Sequence, residues 1–322
     1  MCLVALAIDQ SRRFPLVVAT NRDEYFQRPA VRLAWWLPAA GGPHVLSGRD
    51  LESGGTWLGL TAQGRLALLT NIRAPSRVDA AAPSRGRIVP EWLAARESVG
   101  QFWMRTALSG HNGFNLVAAD FRRGECFWAS NTAPHPQRLE RGVYGLSNAG
   151  LDTPWPKVQQ LKARLRESLA AAESVDALAT RLFAALADRE PAPDDSLPRT
   201  GVRIEMERQL SPAFIRAPDH GYGTRCSTLI ITERAGRQPV THVLERTFSA
   251  TGGVALLRRS TLRNWPPRYT DEGAGAVAEQ AVVAESELIG EGTLPVPIKR
   301  TRVRSLLKPD GGGRKRSSAA HD

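Results

Sequence analysis

Pairs of short apolar runs, each pair joined by a few polar residues, are the feature of this sequence that most restricts its fold. Residues 3–8 and 16–20 form the first pair, and a polar stretch at residues 9–13 separates them. Two apolar runs of this length on either side of a polar turn are typical of a β-hairpin. The same pattern recurs at residues 57–61 with 65–70 and at residues 114–119 with 126–130.

Helical periodicity follows in the middle of the chain. Pro156 is tolerated in the first turn of a helix, and the apolar residues after it recur at helical spacing. These residues are Val158, Leu161, Leu165 and Leu169. Ser174 is a predicted N-cap for a second helix over residues 175–186, and strand-like runs return at residues 225–232 and 240–247. The elements together predict an α+β fold of mainly antiparallel strands covered by helices.

The amino-acid composition changes near residue 262, which is the predicted end of the folded domain formed by residues 1–262. Residues 263–322 are rich in Pro, Gly and basic side chains, which is typical of a largely disordered tail. One helical segment is predicted within this tail, at residues 276–289. The chain has a formal net charge of +11, part of which lies in the tail. Such a tail can bind nucleic acid or anionic lipid, but no DNA- or RNA-binding motif accompanies it.

Cysteine content and hydropathy exclude several classes of protein. Three cysteines, Cys2, Cys126 and Cys226, are too few for a disulfide framework and suit a reducing compartment. No two of them have the spacing of a metal site and no H-E-x-x-H motif is present, so we expect neither a metal nor an organic cofactor. The apolar run after Cys2 is too short for a signal or membrane-spanning segment. We therefore expect a cytoplasmic protein without stable membrane insertion.

Cys2 is the residue on which the functional hypothesis depends. Methionine aminopeptidases remove Met1 when the next residue is small, and Cys2 then carries a free α-amino group beside its thiol. The pKa of such an amine is roughly 7.7–8.0, so a neutral fraction can accept the thiol proton near neutral pH. Nucleophile and general base then belong to one residue, as in enzymes with an N-terminal threonine. The plainer alternative is that Cys2 is only a small second residue.

The first hairpin decides which residues lie beside Cys2. With its turn centred near residues 11 and 12, paired positions add up to about 23, so Cys2 is expected opposite Asn21. The segment Asn21-Arg22-Asp23-Glu24 is then expected to leave its strand next to the start of the chain. There Arg22 would favour a thiolate, and Asp23 would hold and orient the α-amino group.

Five ordered motifs resemble those of the NRDE family, which includes the Transport and Golgi organisation 2 group. The first is Met1-Cys2 followed by Ala19-Thr20-Asn21-Arg22-Asp23-Glu24. The others are Gly48-Arg49-Asp50 with Gly54-Gly55-Thr56-Trp57, then Leu69-Thr70-Asn71, then Leu146-Ser147-Asn148 with Leu151-Asp152-Thr153-Pro154-Trp155-Pro156-Lys157, and last Tyr222-Gly223-Thr224-Arg225-Cys226-Ser227-Thr228. Their order and spacing match over residues 1–255, and the tail lies outside the resemblance.

That family resembles, more distantly, the N-terminal-nucleophile hydrolases of the penicillin V acylase and bile salt hydrolase type, which cleave linear amides. The resemblance implies an αββα sandwich of two mainly antiparallel sheets covered by helices. The residues that it implies at the active site are the nucleophile Cys2, the oxyanion donors Asn71 and Asn148, the distal arginine Arg225, and Asp23 beside the nucleophile. Those acylases place their Arg and Asp three positions apart, whereas Arg22 and Asp23 adjoin here. The roles within residues 21–24 therefore stay open.

Three functions are open on the sequence alone. The first is hydrolysis of a small linear amide at Cys2, assisted by Arg22 and Asp23. The second is non-catalytic carriage of a hydrophobic metabolite such as haem or an acyl-CoA, which would use a pocket lined by aromatic side chains. Candidates for that lining are Trp35, Trp36, Trp57, Trp103 and Trp155. The third is polyanion binding by the basic tail. The sequence defines neither the substrate nor the oligomeric state.

Overall fold

Two antiparallel β-sheets form the centre of the molecule, and α-helices cover their outer faces. The computed structural model describes residues 2–38, 41–236, 238–269, 277–282 and 301–303. In chain order the strands are β1 (Cys2–Ile8), β2 (Leu16–Tyr25), β3 (Ala30–Trp36), β4 (Val45–Asp50), β5 (Leu58–Thr61), β6 (Arg65–Asn71), β7 (Phe114–Asp120), β8 (Glu125–Ser130), β9 (Gln137–Arg138), β10 (Gly142–Leu146), β11 (Arg216–Ala217), β12 (Tyr222–Ala235), β13 (Gln238–Phe248), β14 (Val254–Arg263), β15 (Val277–Val282) and β16 (Thr301–Val303). The helices are α1 (Ile88–Ala94), α2 (Val99–Ala107), α3 (Pro156–Ala171), α4 (Val175–Leu186) and α5 (Ile204–Gln209).

The two sheets differ in how their spatial strand order relates to the order of the strands along the chain. The first has the spatial order β10-β1-β2-β12-β13-β14-β15-β16, with β11 paired to β12. The second has the order β3-β4-β5-β6-β7-β8-β9, so its strands follow one another along the chain. The first sheet therefore brings the start of the chain, β1 and β2, beside β12 from its last third. This pairing assembles the candidate site from distant parts of the sequence.

Three hydrophobic layers hold the elements together. One lies between the first sheet and helices α3 and α4, where Leu161 and Leu178 pack with residues of β1 and β2. The second lies between the two sheets and includes Leu6 and Leu68. The third lies between the second sheet and helices α1 and α2, around Trp92. The order of layers is helix, sheet, sheet, helix, which confirms the predicted α+β sandwich.

All three predicted hairpins are confirmed, but the predicted register of the first is wrong by one residue. Cys2 lies opposite Arg22, not opposite Asn21. The connection between β1 and β2 comprises residues 9–15, so its centre falls on Arg12 rather than between residues 11 and 12. Because side chains alternate between the faces of a strand, this one-residue difference changes which side chain shares a face with Cys2.

Strand β2 also continues further than the sequence indicated. It reaches Tyr25, so the charged segment at residues 21–24 lies inside the strand and does not leave it. The segment remains extended because both neighbours pair with it, β1 on one side and β12 on the other. Of these four residues, Asn21, Arg22 and Asp23 are buried. The backbone hydrogen bonds of a central strand thus hold them in fixed orientations.

The two predicted helices in the middle of the chain are confirmed. Helix α3 begins at Pro156 and its apolar residues face the first sheet. Helix α4 follows Ser174, whose side-chain oxygen accepts a hydrogen bond from the amide of Ala177 (3.1 Å), as an N-cap does. No helix in the described ranges is both long and apolar enough to cross a lipid bilayer.

The packed structure continues past the predicted boundary at residue 262. The indole of Trp265 is fully buried between the sheets, and its Nε1 donates to the carbonyl oxygen of Thr61 (2.9 Å). Strand β15 lies inside the segment 276–289, which was predicted to be helical; its described residues pair with β14 instead, so that prediction is wrong for them. Most of the predicted tail, residues 270–276, 283–300 and 304–322, lies outside the described residues, and so do most of the basic side chains considered for polyanion binding.

Candidate active site

The start of β1 carries Cys2 to the edge of the layer between the two sheets. Val4 and Leu6 belong to that layer, whereas Leu3 and Ala5 pack on the helix side of the first sheet. Since alternate residues of a strand share a face, Cys2 faces the second sheet together with Val4. Its side chain is buried but borders a cavity.

Arg22 shares this face because it lies directly opposite Cys2. Asn21 points to the other face, where its Nδ2 donates to the carbonyl oxygens of Leu186, at the end of α4, and of Ala213, each over 2.8 Å. Because successive side chains of β2 point to opposite faces of the sheet, neighbouring residues of the segment 21–24 have different surroundings. Arg22 faces the reactive side, and Asn21 fastens the helix layer to the sheet.

A cavity of about 380 Å³, called the Cys2 cavity below, lies in front of the thiol. It is lined by four of the six predicted site residues, namely Cys2, Arg22, Asp23 and Asn71. The other lining residues are Glu24, Tyr25, Arg28, Asp50, Ser53, Thr56, Trp57, Leu69, Ala82, Pro83, Ser84, Arg85, Gly86 and Asn112. The predicted residues Asn148 and Arg225 do not line it. The cavity is rich in charged groups of both signs.

Arg22 connects the two sheets at this cavity. Its Nη2 donates to Oδ2 of Asp50, at the end of β4, over 2.7 Å. Arg28 donates to the same oxygen over 2.7 Å, and the guanidinium of Arg22 lies 4.3 Å from the ring centre of Trp57. Nη1 of Arg22 is buried and has no hydrogen-bond partner among the described residues. One Nη group of Arg22 therefore keeps its hydrogen-bonding capacity unused among the described residues.

The thiol of Cys2 is protonated in its resting state. Burial raises the pKa of Cys2, while the positive charges of the amino terminus and of Arg22 act in the opposite direction without outweighing burial. Arg22 thus has the electrostatic effect expected from the sequence, but desolvation is the larger cause. Because a protonated thiol is a poor nucleophile, activation of Cys2 requires a nearby base.

Asp23 is buried at the end of the cavity nearest to β12. Its Oδ1 accepts a hydrogen bond from Oγ1 of Thr224 (2.7 Å), and its backbone carbonyl oxygen accepts one from the Tyr222 hydroxyl (2.9 Å). Burial raises the pKa of Asp23, whereas the charges of Lys157 and of the amino terminus act to lower it. Asp23 is therefore a buried carboxylate that interacts electrostatically with the start of the chain.

The two predicted oxyanion donors occupy different positions. Asn71, the last residue of β6, lines the Cys2 cavity. Asn148 is buried behind it, and its Nδ2 donates to the backbone carbonyl oxygen of Asn71 over 2.8 Å. The neighbouring Ser147 donates through Oγ to the carbonyl oxygen of Cys2 (3.1 Å). The Ser147–Asn148 pair therefore joins the backbone of the nucleophile to the backbone of the cavity asparagine.

Arg225 supports the cavity from outside. It is the extra residue of a β-bulge in β12, between Thr224 and Cys226. Its Nη1 donates to the carbonyl oxygens of Tyr25, Phe26 and Arg28, over 2.7, 3.0 and 3.2 Å. Arg225 thus fixes the turn that carries Arg28. The nearby His220 is exposed and does not line the cavity.

Several charged residues near Cys2 were not found by sequence reasoning. Nζ of Lys157 is buried and donates to the carbonyl oxygen of Leu210 (2.8 Å); burial lowers its pKa to about 8, while the charge of Asp23 acts in the opposite direction. Arg73 and Glu207 form a buried ion pair with N and O 2.6 Å apart. Lys157 ends the fourth motif of the resemblance, but no role is implied for it there, and its helix carries many other basic residues. Arg73 and Glu207 are 134 positions apart, so no local motif joins them.

The described residues offer little for a metal or for an aromatic pocket. No three His, Cys, Asp or Glu side chains within the described ranges lie together as metal ligands would. Of the tryptophans considered as pocket lining, Trp57 borders the Cys2 cavity. Trp103 and Trp155 are core residues, and Trp35 and Trp36 pack against the core from half-buried positions.

Comparison with known proteins identifies the family. The family model for Transport and Golgi organisation 2 matches residues 1–250. The Transport and Golgi organization protein 2 homolog of Bos taurus is 35% identical over 288 residues, which cover 84% of this chain and 96% of that protein. The Homo sapiens homolog is 33% identical over 254 residues, which cover 73% and 90%. A solved structure, the Caenorhabditis elegans N-acylethanolamine-hydrolyzing acid amidase ortholog, aligns with a TM-score of 0.40 and 9% identity over 71% of this chain and 92% of its own. The chain belongs to the Transport and Golgi organisation 2 family.

Proposed function

We propose that the chain is a cysteine N-terminal-nucleophile hydrolase that cleaves a small linear amide after Met1 has been removed. The observation that carries the proposal is the shared cavity: Cys2 borders it directly opposite Arg22, and Asn71 borders it from the other sheet. A cytoplasmic location is part of the proposal, because the reaction needs a free thiol and the three cysteines are unpaired.

The first step uses only groups of Cys2. The neutral α-amino group takes the proton from the thiol, directly or through water, and the sulfur attacks the carbonyl carbon of the amide. A C–S bond forms and the carbonyl oxygen becomes an oxyanion. When the C–N bond breaks, the ammonium returns its proton to the leaving amine. Water then attacks the thioester in the same manner, which releases the carboxylic acid and restores the thiol.

The oxyanion needs hydrogen-bond donors that are already in place. Asn71 borders the cavity, and its backbone is fixed by the bond from Asn148. The buried Nη1 of Arg22 is a second donor on the face that carries Cys2. Loss of one such donor typically lowers the rate about 10²- to 10³-fold. Asp23 has a different task, which is to hold the α-amino group of Cys2 through its charge.

The test uses N-acyl derivatives of 7-amino-4-methylcoumarin, with acyl chains from short to long, and follows the fluorescence of the released amine. Intact mass first establishes that Met1 is absent from the purified protein. Cys2→Ala is expected to lower the rate at least about a thousandfold, since it removes the nucleophile. Cys126→Ala, which removes a buried thiol that does not line the cavity, is the control and retains the rate. A protein that keeps Met1, or a Cys2→Ala variant with full activity, contradicts the proposal.

A second candidate function, non-catalytic carriage of a hydrophobic metabolite, is favoured by one observation. A further cavity beside the Cys2 cavity has Ile72, Pro75, Val78 and Val202 in its wall. Titration with haem, followed by its Soret absorbance, separates the two functions. A Soret shift that Cys2→Ala leaves unchanged, without amide cleavage by the parent protein, supports carriage. Cleavage without a Soret shift supports the hydrolase.

A further inference from the structure

The Cys2 cavity adjoins a second cavity of about 360 Å³. Three residues, Asn71, Arg85 and Asn112, line both cavities. Because these side chains border both spaces, they mark the junction between them. A molecule that reacts at Cys2 and is longer than the first cavity would pass these three residues.

The second cavity differs from the first in its wall. Its lining includes the apolar residues Ile72, Ala74, Pro75, Val78 and Val202, and its charged residues are three arginines, Arg73, Arg77 and Arg85. The side chain of Val78 is exposed, although it is large and apolar. By contrast, the wall of the Cys2 cavity carries six charged side chains in addition to the thiol. Binding of an apolar group in the second cavity is therefore favourable in free energy, because it removes apolar surface from water.

Arg85 carries the unmatched charge at the junction. Its Nη1 donates to the carbonyl oxygen of Gly113 (3.0 Å), and no carboxylate among the described residues forms an ion pair with it. Arg22 and Arg28 share Asp50, and Arg73 pairs with Glu207. Arg77 also lines the second cavity without an ion pair among the described residues, but it is exposed and does not border the Cys2 cavity. Burial lowers the pKa of Arg85, with the charge of Glu24 acting in the opposite direction. A half-buried guanidinium without a counter-charge is a ready site for an anion.

The loop that carries Arg85 is held in position. Asn112 exchanges two hydrogen bonds with the backbone of Asp79, each over 2.8 Å. Nδ1 of His111 lies 2.9 Å from the carbonyl oxygen of Pro83. The turn at residues 111–113 thus fastens the loop at three points, the third being the bond from Arg85. A fixed cation at the junction needs little reordering to bind its ligand.

We infer that the molecule bound at Cys2 is an amide with a carboxylate held by Arg85 and an apolar branch in the second cavity. The inference rests on the proposed function for the position of the amide, but recognition of the anion is independent of turnover. A guanidinium with one Nη bonded to the protein keeps an edge for two parallel hydrogen bonds to a carboxylate. Arg85 is the half-buried cation without a counter-charge at the junction and suits a monoanion, and the apolar branch accounts for the apolar part of the wall of the second cavity.

The test measures binding by calorimetry to the full-length Cys2→Ala protein, which binds without turning over. Three probes differ in one group each: N-acetylleucine, N-acetylleucinol, which lacks the carboxylate, and N-acetylglycine, which lacks the apolar branch. N-acetylleucine is expected to bind roughly tenfold or more tightly than N-acetylleucinol, as for a hydrogen bond to a charged group. Arg85→Gln, added to this protein, is expected to abolish that preference, and Arg85→Lys to keep part of it.

The controls separate a specific effect from a folding defect. Arg87→Gln changes the next basic residue of the same loop, which is exposed, borders neither cavity and is expected to leave the preference intact. Val78→Ser should lower the affinity for N-acetylleucine to that for N-acetylglycine and keep the carboxylate preference. Equal binding of N-acetylleucine and N-acetylleucinol, no binding of either, or a preference that survives Arg85→Gln overturns the inference. Carboxylate-specific binding by a protein that cleaves no amide refutes the proposed function instead.

Discussion

The side-chain amide of Asn148 donates a 2.8 Å hydrogen bond to the backbone carbonyl oxygen of Asn71. Asn148 is buried and its Oδ1 accepts from Ser147, so both ends of its amide are occupied by the protein. Asn148 therefore acts on the cavity through Asn71 and not by direct contact. The sequence resemblance implied two equivalent donors, whereas the structure gives one residue at the cavity and one that positions it.

This arrangement predicts that Asn148→Ala lowers both stability and turnover. The carbonyl oxygen of Asn71 loses a buried donor, which costs about 1–3 kcal/mol in the free energy of unfolding. Displacement of Asn71 is expected to lower kcat more than it raises KM. Urea unfolding and steady-state kinetics measure the two effects. Thr241→Val, which removes a buried bond from Oγ1 to the carbonyl oxygen of Trp265 (2.7 Å) and changes a residue that lines neither cavity, should lower stability alone. An unchanged kcat in Asn148→Ala would refute the positioning role.

Asp50→Asn tests the ion pairs that join the two sheets. Asp50 accepts from Arg22 and Arg28 at one oxygen, both over 2.7 Å, and Arg22 is almost fully buried. Removal of the carboxylate leaves the buried guanidinium of Arg22 with only Glu24, 3.8 Å away, as a counter-charge, which costs about 3 kcal/mol. Glu52→Gln is the control, since Glu52 pairs with Arg28 at the exposed surface and such pairs contribute less than about 1 kcal/mol. Equal losses in the two variants would contradict the prediction.

Asp50 also makes the free energy of unfolding depend on pH in the acidic range. Burial acts to raise the pKa of Asp50, but hydrogen bonds from Arg28 and the Ser53 amide and the charge of Arg22 outweigh it, so the pKa lies below its ordinary value of 3.8. A lowered pKa means that the carboxylate stabilises the fold above pH 3.8 and that this contribution is lost as pH falls below it. The difference in unfolding free energy between the parent and Asp50→Asn should therefore shrink on acidification.

The first hairpin shows which structural features the sequence predicts and which it does not. Apolar runs locate β1 and β2 well, because the runs are long enough to be strands and the polar turn between them is short. The register depends on the centre of a seven-residue connection, 9–15, that has no sequence pattern of its own. A shift of one residue exchanges Asn21 for Arg22 as the partner of Cys2. Motifs thus indicate which residues meet, while the backbone of the turn decides which side chain faces the nucleophile.

Buried charges show where sequence reasoning ends. Lys157 has the spacing of an exposed residue on α3, yet it is buried because the chain near Leu210 passes over it and supplies a carbonyl oxygen. Lys157 and Asp50 both stand within recognised motifs, which places them near the site but does not indicate that either is buried. Local patterns predict elements and their exposed faces. They do not predict which surface of a helix a distant loop covers.

Glu245 gives a prediction with a sign opposite to that of Asp50. Burial raises its pKa to about 7 from an ordinary 4.5, against a hydrogen bond from the Leu33 amide and the charge of Arg258. Between these two pH values the unfolded chain loses the proton that the folded protein keeps, so stability falls as pH rises, by roughly 3 kcal/mol in total. Glu245→Gln, which mimics the protonated acid, should match the parent near pH 4.5 and exceed its stability above pH 7. Parallel pH profiles of the two proteins would exclude this explanation.

Lys157→Met is expected to change the pH dependence of catalysis. Lys157 is the positive charge with the largest effect on Asp23, and it acts to lower the pKa of that carboxylate. Without this charge the pKa of Asp23 rises, so Asp23 becomes protonated at higher pH and no longer holds the α-amino group. The acid limb of the kcat/KM profile should move to higher pH. Lys162→Met is the control, because Lys162 lies on the same helix as Lys157 but pairs with Asp152. This variant is expected to leave the acid limb of the kcat/KM profile unchanged.

Adjacent glycines provide a test of how the loop above the cavity is held. A Cβ at Gly55 would overlap the carbonyl oxygen of Gly86, which also accepts a hydrogen bond from the amide of Thr56 (3.2 Å). Gly54 has a φ of +71° and open space around its Cα, so an added methyl group there meets only backbone strain. Gly54→Ala should therefore cost about 1 kcal/mol. Gly55→Ala must instead push the backbone at Gly86 away, which costs about 3 kcal/mol.

The two glycine variants should also differ in ligand binding. Because Gly86 adjoins Arg85, the displacement caused by Gly55→Ala moves the cation at the junction of the two cavities, whereas Gly54→Ala leaves it in place. Gly55→Ala is expected to reduce the carboxylate preference measured with N-acetylleucine and N-acetylleucinol, and Gly54→Ala to retain it. Thermal unfolding accompanies both measurements, at a temperature where each variant is folded. If both variants keep the preference, the close approach of Gly55 to Gly86 supports the fold without positioning Arg85.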